Sequence, residues 1–229
     1  MSDNKTFATI KNNPKFVLFY RLAAFFLITA GMFASLQLLE EEKNLYALFT
    51  YTLQSNLFVW VFFLVNIIQT LRKVVSKKHD NDFGFTPVFS FAVCIAIVVT
   101  FLIFWCYLVP TGWAKNSLLT FRNLSIHLFC PLFMVLDRVL FYKKATFSKK
   151  QILYILIFPL VYLAQSLSLG LTHTVWFGSI GVDGYYIYPF LDVDAFGALV
   201  ILFVIALAGL FLGLSFLWYH LEKRSTKPL

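Results

Sequence analysis

FTYTLQSNLFVWVFFLVNII, Phe49 to Ile68, changes character at its middle. The second half is apolar enough for lipid, while the first half carries two threonines, a glutamine, a serine and an asparagine. Read as one helix, the stretch predicts a membrane span with hydrogen-bonding chemistry near its start.

The rest of the chain agrees with a span. Of 229 residues, 60% are hydrophobic, 19% aromatic and only 13% charged, which lies far outside the balance of a soluble domain. Six apolar runs long enough to cross ~30 Å of hydrocarbon fall at about 16–39, 46–71, 85–110, 118–142, 151–170 and 196–220. No room remains for a soluble domain. The expected architecture is therefore all-α: residues 1–229 form one integral membrane domain, a polytopic bundle of six transmembrane helices.

The net charge of +8 is explained by topology rather than by nucleic acid. Sixteen of the 19 basic residues lie in the amino-terminal segment, the second and fourth loops and the tail, among them Lys15, Arg21, Arg72, Lys77, Arg138, Lys149 and Arg224. Only Lys43, Lys115 and Arg122 fall on the other side, with Glu40, Glu41, Glu42, Asp183, Asp192 and Asp194. The positive-inside rule puts both termini in the cytoplasm and the protein in the cell membrane. The first apolar run lacks a small-x-small cleavage site before Glu40, so an uncleaved first helix is expected. Cys94, Cys106 and Cys130 sit inside apolar runs without paired spacing, and neither a disulfide framework nor a metal site is indicated.

The fifth loop, Leu171 to Ala195, is rich in Gly and Tyr and is expected to fold over the mouth of the bundle. Trp113, Trp176, Tyr185, Tyr186 and Tyr188 read as an interfacial aromatic belt. Gly209-x-x-x-Gly213 in the last span permits close approach of two helices, within the chain or between copies in a homo-oligomer.

Two polar constellations stand out. On a helix starting near Tyr46, Thr52, Ser55 and Asn56 share a face, with Thr52 ~9 Å below the outer end. Such groups can also serve locally, by bonding carbonyls one turn back or by joining helices. In FRNLSIHLFCPLF, Phe121 to Phe133, Asn123, His127 and Pro131 recur every four residues, and Pro131 leaves the carbonyl of His127 without a helical partner. His127 falls ~13 Å below the outer end, where an ionisable side chain is a functional candidate. The second and fourth spans run the same way, so these groups are expected at matched depth. A hydroxyl becomes a competent nucleophile when an imidazole removes its proton, and amides or a guanidinium can steady the resulting oxyanion. Thr52 is the candidate nucleophile and His127 the base, with Ser55, Asn56, Asn123 and Arg122 as substrate or oxyanion contacts. Gln165 and Ser166, above Pro159, are expected in the same cavity. His173 is the second candidate base. Asp137 and Arg138 read as anchors to a neighbour or the headgroups, and His79 and His220 as solvated residues.

FTYTLQSNL in the second span, RNLSIHLFCPLFMVLDRVLF in the fourth and YIYPFLDVDAFG before the sixth resemble the androgen-induced multi-span threonine hydrolases and their bacterial six-span relatives. The resemblance implies an intramembrane threonine and histidine pair acting on fatty acid esters of hydroxy fatty acids, without metal or organic cofactor. The pair would be Thr52 and His127. An alignment shifted by two residues would select Thr50, which lies on another helical face. The expected partners are membrane lipids or a lipid-like ester, and no nucleic acid. The rival expectation is a non-catalytic membrane protein, either a small transporter subunit or a lipid-binding scaffold, using the same polar pocket.

Overall fold

The computed structural model describes residues 12–76, 83–84, 87–112, 118–143, 148–173 and 185–224; Trp113, Trp176, Asp183 and His79 lie outside them. The protein is an all-α, multi-pass membrane protein, and among the described residues six helices are long and apolar enough to cross a bilayer. They are α1 (Pro14–Ser35), α2 (Tyr51–Ser76), α3 (Pro87–Leu108), α4 (Phe121–Phe141), α5 (Lys149–Leu171) and α6 (Leu199–Arg224). The end of the bundle holding residues 36–50, 109–112, 118–120, 172–173 and 185–198 is here called upper, and the opposite end lower.

Local chemistry sets the helix starts. Asn13 caps α1, its Oδ1 accepting from the Lys15 N–H at 3.0 Å, and Pro14 occupies the first helical position, where no N–H is needed. The second span begins later than its apolar pattern suggests. Leu45–Phe49 form a 3₁₀ turn, Thr50 is extended (φ −78°, ψ 144°), and the Thr50 hydroxyl accepts from the Leu53 N–H at 3.2 Å while donating to the Ala47 carbonyl at 2.7 Å. Thr50 is thus the cap of α2, and Thr52 lies in its first turn. The expected start near Tyr46 is moved because a capping hydroxyl ends one turn and begins the next.

Both α3 and α4 contain a widened π turn, at Phe104–Leu108 and Ser125–Phe129. In α4 the cause is legible: Pro131 has no N–H, the Cys130 N–H reaches back five residues to Ser125, and the His127 carbonyl is released from the ladder. That carbonyl accepts from Trp105 Nε1 of α3 at 3.0 Å, which locks the two π turns side by side.

α3 is the most buried span and α6 the least. α3 packs against α2, α4, α6 and the lower part of α5, Lys149–Leu156, while α1 lies on α2 and α4. A Cβ added at Gly31 would stand 2.4 Å from the Ser125 Cβ, so α1 and α4 meet there at a distance only glycine allows. Phe62, Phe63, Val59, Cys94, Ile97 and Met134 form the core between α2, α3 and α4. Leu160, Val161, Ile201, Leu202 and Ile205 remain more than half exposed, as lipid-facing side chains should. Gly209 and Gly213 belong to this open surface, with no described atom within 4 Å of an added Cβ. The glycine pair is therefore not an intramolecular contact among the described residues.

Asp137 and Arg138 pair with neighbouring helices rather than reaching the headgroups. Arg21 of α1 is fully buried and grips Asp137 of α4 with two bonds (Nε to Oδ1 2.8 Å, Nη2 to Oδ2 3.2 Å), while its Nη1 donates to Thr70 of α2 at 2.8 Å. Arg138 donates to Glu222 of α6 at 2.8 Å and to Ser90 of α3 at 3.1 Å, and Trp218 donates to the same glutamate at 2.8 Å. These pairs stitch five helices in the lower half. Arg21 and Arg138 lie on adjoining faces of an apolar bundle, and a charge there is tolerated only with a partner inside it.

Candidate functional site

Above the ionic layer a cavity opens between α2, α3, α5 and α6, enclosing about 800 Å³ of atom-free space with its open mouth counted. α5 packs on α3 and α6 through its lower part, and above it Pro159, Leu160 and Leu163 line the cavity together with Val204, Leu207 and Ala208. The stretch from Tyr185 to Leu191 closes its upper end. Tyr188, Phe190 and Leu191 reach into the lining, with Pro189–Leu191 in a 3₁₀ turn. The strap is seated by Tyr186, 2% exposed, whose ring lies so close to Gly170 of α5 that an added Cβ would be 2.2 Å from it. His173 Nε2 and Asp194 Oδ2 meet at 3.0 Å on the exposed surface beyond. Asp192 caps the following turn, accepting from the Ala195 N–H at 2.9 Å.

The cavity walls are apolar except for hydroxyls. Thr52 belongs to the lining, as do Thr100, Tyr51, Tyr162 and Tyr188. The rings form a continuous group, Tyr51 to Tyr162 at 5.1 Å and Tyr162 to Tyr188 at 6.3 Å between centroids. Neither the Tyr51 nor the Tyr162 phenol finds a partner of hydrogen-bonding geometry, although Ser166 and Tyr188 lie beside Tyr162. Burial raises the Tyr188 pKa above the ordinary phenol value, with the Thr52 side chain and backbone acting in the opposite sense. At neutral pH this phenol is therefore an O–H donor next to Thr52.

Of the residues predicted to form the site, Thr52 lines this cavity and the others do not. Ser55 donates to the Thr52 carbonyl at 2.9 Å and meets the Thr100 hydroxyl at 2.8 Å. Asn56 Nδ2 donates to the carbonyls of Thr52 (2.8 Å) and Ile126 (3.2 Å). Both side chains spend their donors fastening α2 to α3 and α4. Asn123 is 9% exposed in the first turn of α4, its backbone N–H donating to Thr120 Oγ1 at 3.4 Å, and Arg122 is half-buried beside it. Gln165 accepts from Gln54 at 2.9 Å and donates to the Phe49 carbonyl at 3.4 Å, tying α5 to the start of α2. His220 is exposed at the lower end of α6.

His127 is 6% exposed and stacked on Phe104, with ring centroids 3.6 Å apart and planes at 10°. Phe104 also belongs to the cavity wall, so it stands between the imidazole and the ligand space. No hydrogen bond joins His127 to Thr52. Three fully buried polar atoms in this region lack a partner: His127 Nδ1, Asn56 Oδ1 and Ser125 Oγ. Each such atom costs on the order of 1–3 kcal/mol, a concentration more typical of functional than of packing sites.

The tyrosines and Phe104 were missed by sequence reasoning. Tyr51 was hidden by its neighbour Thr52, and Tyr186 and Tyr188 read as belt residues because the turn folding YIYPFL inward leaves no periodic trace. The chain matches no family model, no curated protein and no solved structure.

Proposed function

We propose that the protein is an intramembrane hydrolase of lipid-like fatty acyl esters. The observation that carries this reading is that Thr52 lies in the wall of a largely apolar cavity whose wall also includes Phe104, the ring on which the His127 imidazole is stacked. The acyl chain lies between α5 and α6, whose lipid-facing residues let it enter sideways, and the ester carbonyl reaches Thr52.

In the first half-reaction Phe104 turns out of the stack, and His127 takes the proton of Thr52 Oγ1 as that oxygen bonds to the carbonyl carbon. The phenols of Tyr162 and Tyr188 donate to the oxyanion, a role the fastened amide of Asn56 no longer has donors for. Collapse breaks the ester bond, and the leaving alcohol takes the proton from His127. Water then attacks the acyl-Thr52 ester with His127 again as base, releasing the fatty acid and restoring the threonine. The charge asymmetry of the loops supports placement in the cell membrane, with the lower end and both termini toward the cytoplasm.

Covalent labelling tests this reading. A fluorophosphonate or β-lactone probe carrying a long alkyl chain should modify purified protein at Thr52 and should not modify Thr52→Ala. Labelling confined to other residues, or none with folded protein, contradicts it. A second reading, a non-catalytic lipid-binding protein, is favoured by the Phe104 ring, which covers His127 at the cavity wall. It predicts ligand uptake without covalent modification.

A further inference from the structure

Among the described residues, no Lys, Arg, His, Asp or Glu lines the cavity. Its polar groups are hydroxyls only, and they are not equivalent. Thr100 is committed to Ser55 and the Ala96 carbonyl. Tyr51 and Tyr162 keep buried phenols without a partner of hydrogen-bonding geometry, although Ser166 and Tyr188 stand beside Tyr162, and Tyr188 is held in its protonated form beside Thr52. The charged groups of the strap are turned elsewhere, Asp192 to the Ala195 N–H and Asp194 to His173 on the exposed surface.

A ligand with a neutral carbonyl at this end accepts from the waiting phenols and covers apolar walls with its chain. A ligand with an ionised carboxylate or phosphate there loses its hydration and gains no counter-charge. We infer that the cavity selects acyl esters whose polar part is electrically neutral and excludes the same chain when its buried end is ionised. This rests on the reading that the cavity is where the acyl compound binds. It also narrows the substrate class, because an ester of a hydroxy fatty acid carries a free carboxylate, and a cavity of this kind prefers the form in which that group is masked.

Two compounds isolate the charge: the palmitoyl ester of hydroxystearic acid and the methyl ester of that same molecule. Each is titrated against a photoreactive monoacylglycerol bearing a diazirine on its acyl chain, with full-length protein in nanodiscs at pH 9. Crosslinks are expected on Leu163 of α5 and Leu207 of α6. The methyl ester should displace the probe at a concentration at least tenfold lower than the acid. Tyr162→Phe, which keeps the ring and removes one donor, should weaken displacement by the methyl ester severalfold. Ala208→Lys, which introduces a cation into the lining, should reverse the order of the two compounds. Equal displacement by acid and methyl ester, with crosslinks in the cavity, overturns the inference while leaving the hydrolase reading intact. Selective binding of the neutral ester without any turnover upholds the inference and removes the hydrolase reading. Crosslinks confined to the lipid-facing surface overturn the inference at its first step.

Discussion

Replacing Arg21 by Met leaves the Asp137 carboxylate buried among α1, α2 and α4 with its counter-charge gone. Arg21 and Asp137 are both fully buried and share two hydrogen bonds, at 2.8 and 3.2 Å, so no solvent is present to take over. Breaking a buried pair from one side costs about 3–5 kcal/mol, because the remaining ion must stay charged without a partner or be neutralised. Asp137→Leu should cost somewhat less than Arg21→Met, since the guanidinium retains Thr70 at 2.8 Å and the Asn66 carbonyl at 3.4 Å. The double variant removes both charges and replaces them with apolar side chains. It should lose less stability than either single change, and the coupling between the two sites should exceed about 2 kcal/mol. Reversible unfolding in mixed micelles, followed by tryptophan fluorescence, measures all four proteins. Additive losses, or single losses under about 1 kcal/mol as for a headgroup-exposed pair, would refute the reasoning.

Gly170→Ala places a Cβ 2.2 Å from the Tyr186 ring, so the strap must lift; a thermal scan should show a loss of about 1–3 kcal/mol, and ligand affinity should fall with it. Thr50→Ala removes the cap of α2 and should cost about 1 kcal/mol in the same scan while esterase activity persists, because the Thr50 hydroxyl is committed to Ala47 and Leu53 rather than to the cavity. Phe104→Leu removes the ring stacked on His127 and should raise turnover per folded molecule; a fall in kcat at unchanged KM would show that the ring assists rather than blocks.

The membrane architecture was legible because it depends on hydrophobic runs and charge sign, which survive local irregularity. Span ends were less legible: Thr50 interrupts the apolar pattern before α2 by capping it, a choice between two helix starts that hydropathy does not register. Pro131 correctly signalled a freed carbonyl at His127, yet the donor that claims it, Trp105, comes from another helix and could not be read. The same limit governs the site. Ser55 and Asn56 share the polar stripe with Thr52, but hydrogen-bonding chemistry alone does not separate a residue that meets a ligand from one that joins helices. The buried Arg21–Asp137 pair was hidden for a related reason, since position in the loop count placed Arg21 with the terminal basic residues. Contacts across 116 positions of sequence leave no local pattern.

The central claim is that Thr52 and His127 perform ester hydrolysis inside the bundle. It is tested most directly by the steady-state hydrolysis of a neutral long-chain fatty acyl ester by purified protein, compared with Thr52→Ala, Thr52→Ser and His127→Ala after each is shown to fold. The account predicts that both alanine variants lose on the order of a hundredfold or more in kcat, while Thr52→Ser retains measurable turnover by supplying the same hydroxyl. Wild-type turnover in Thr52→Ala and His127→Ala would contradict it.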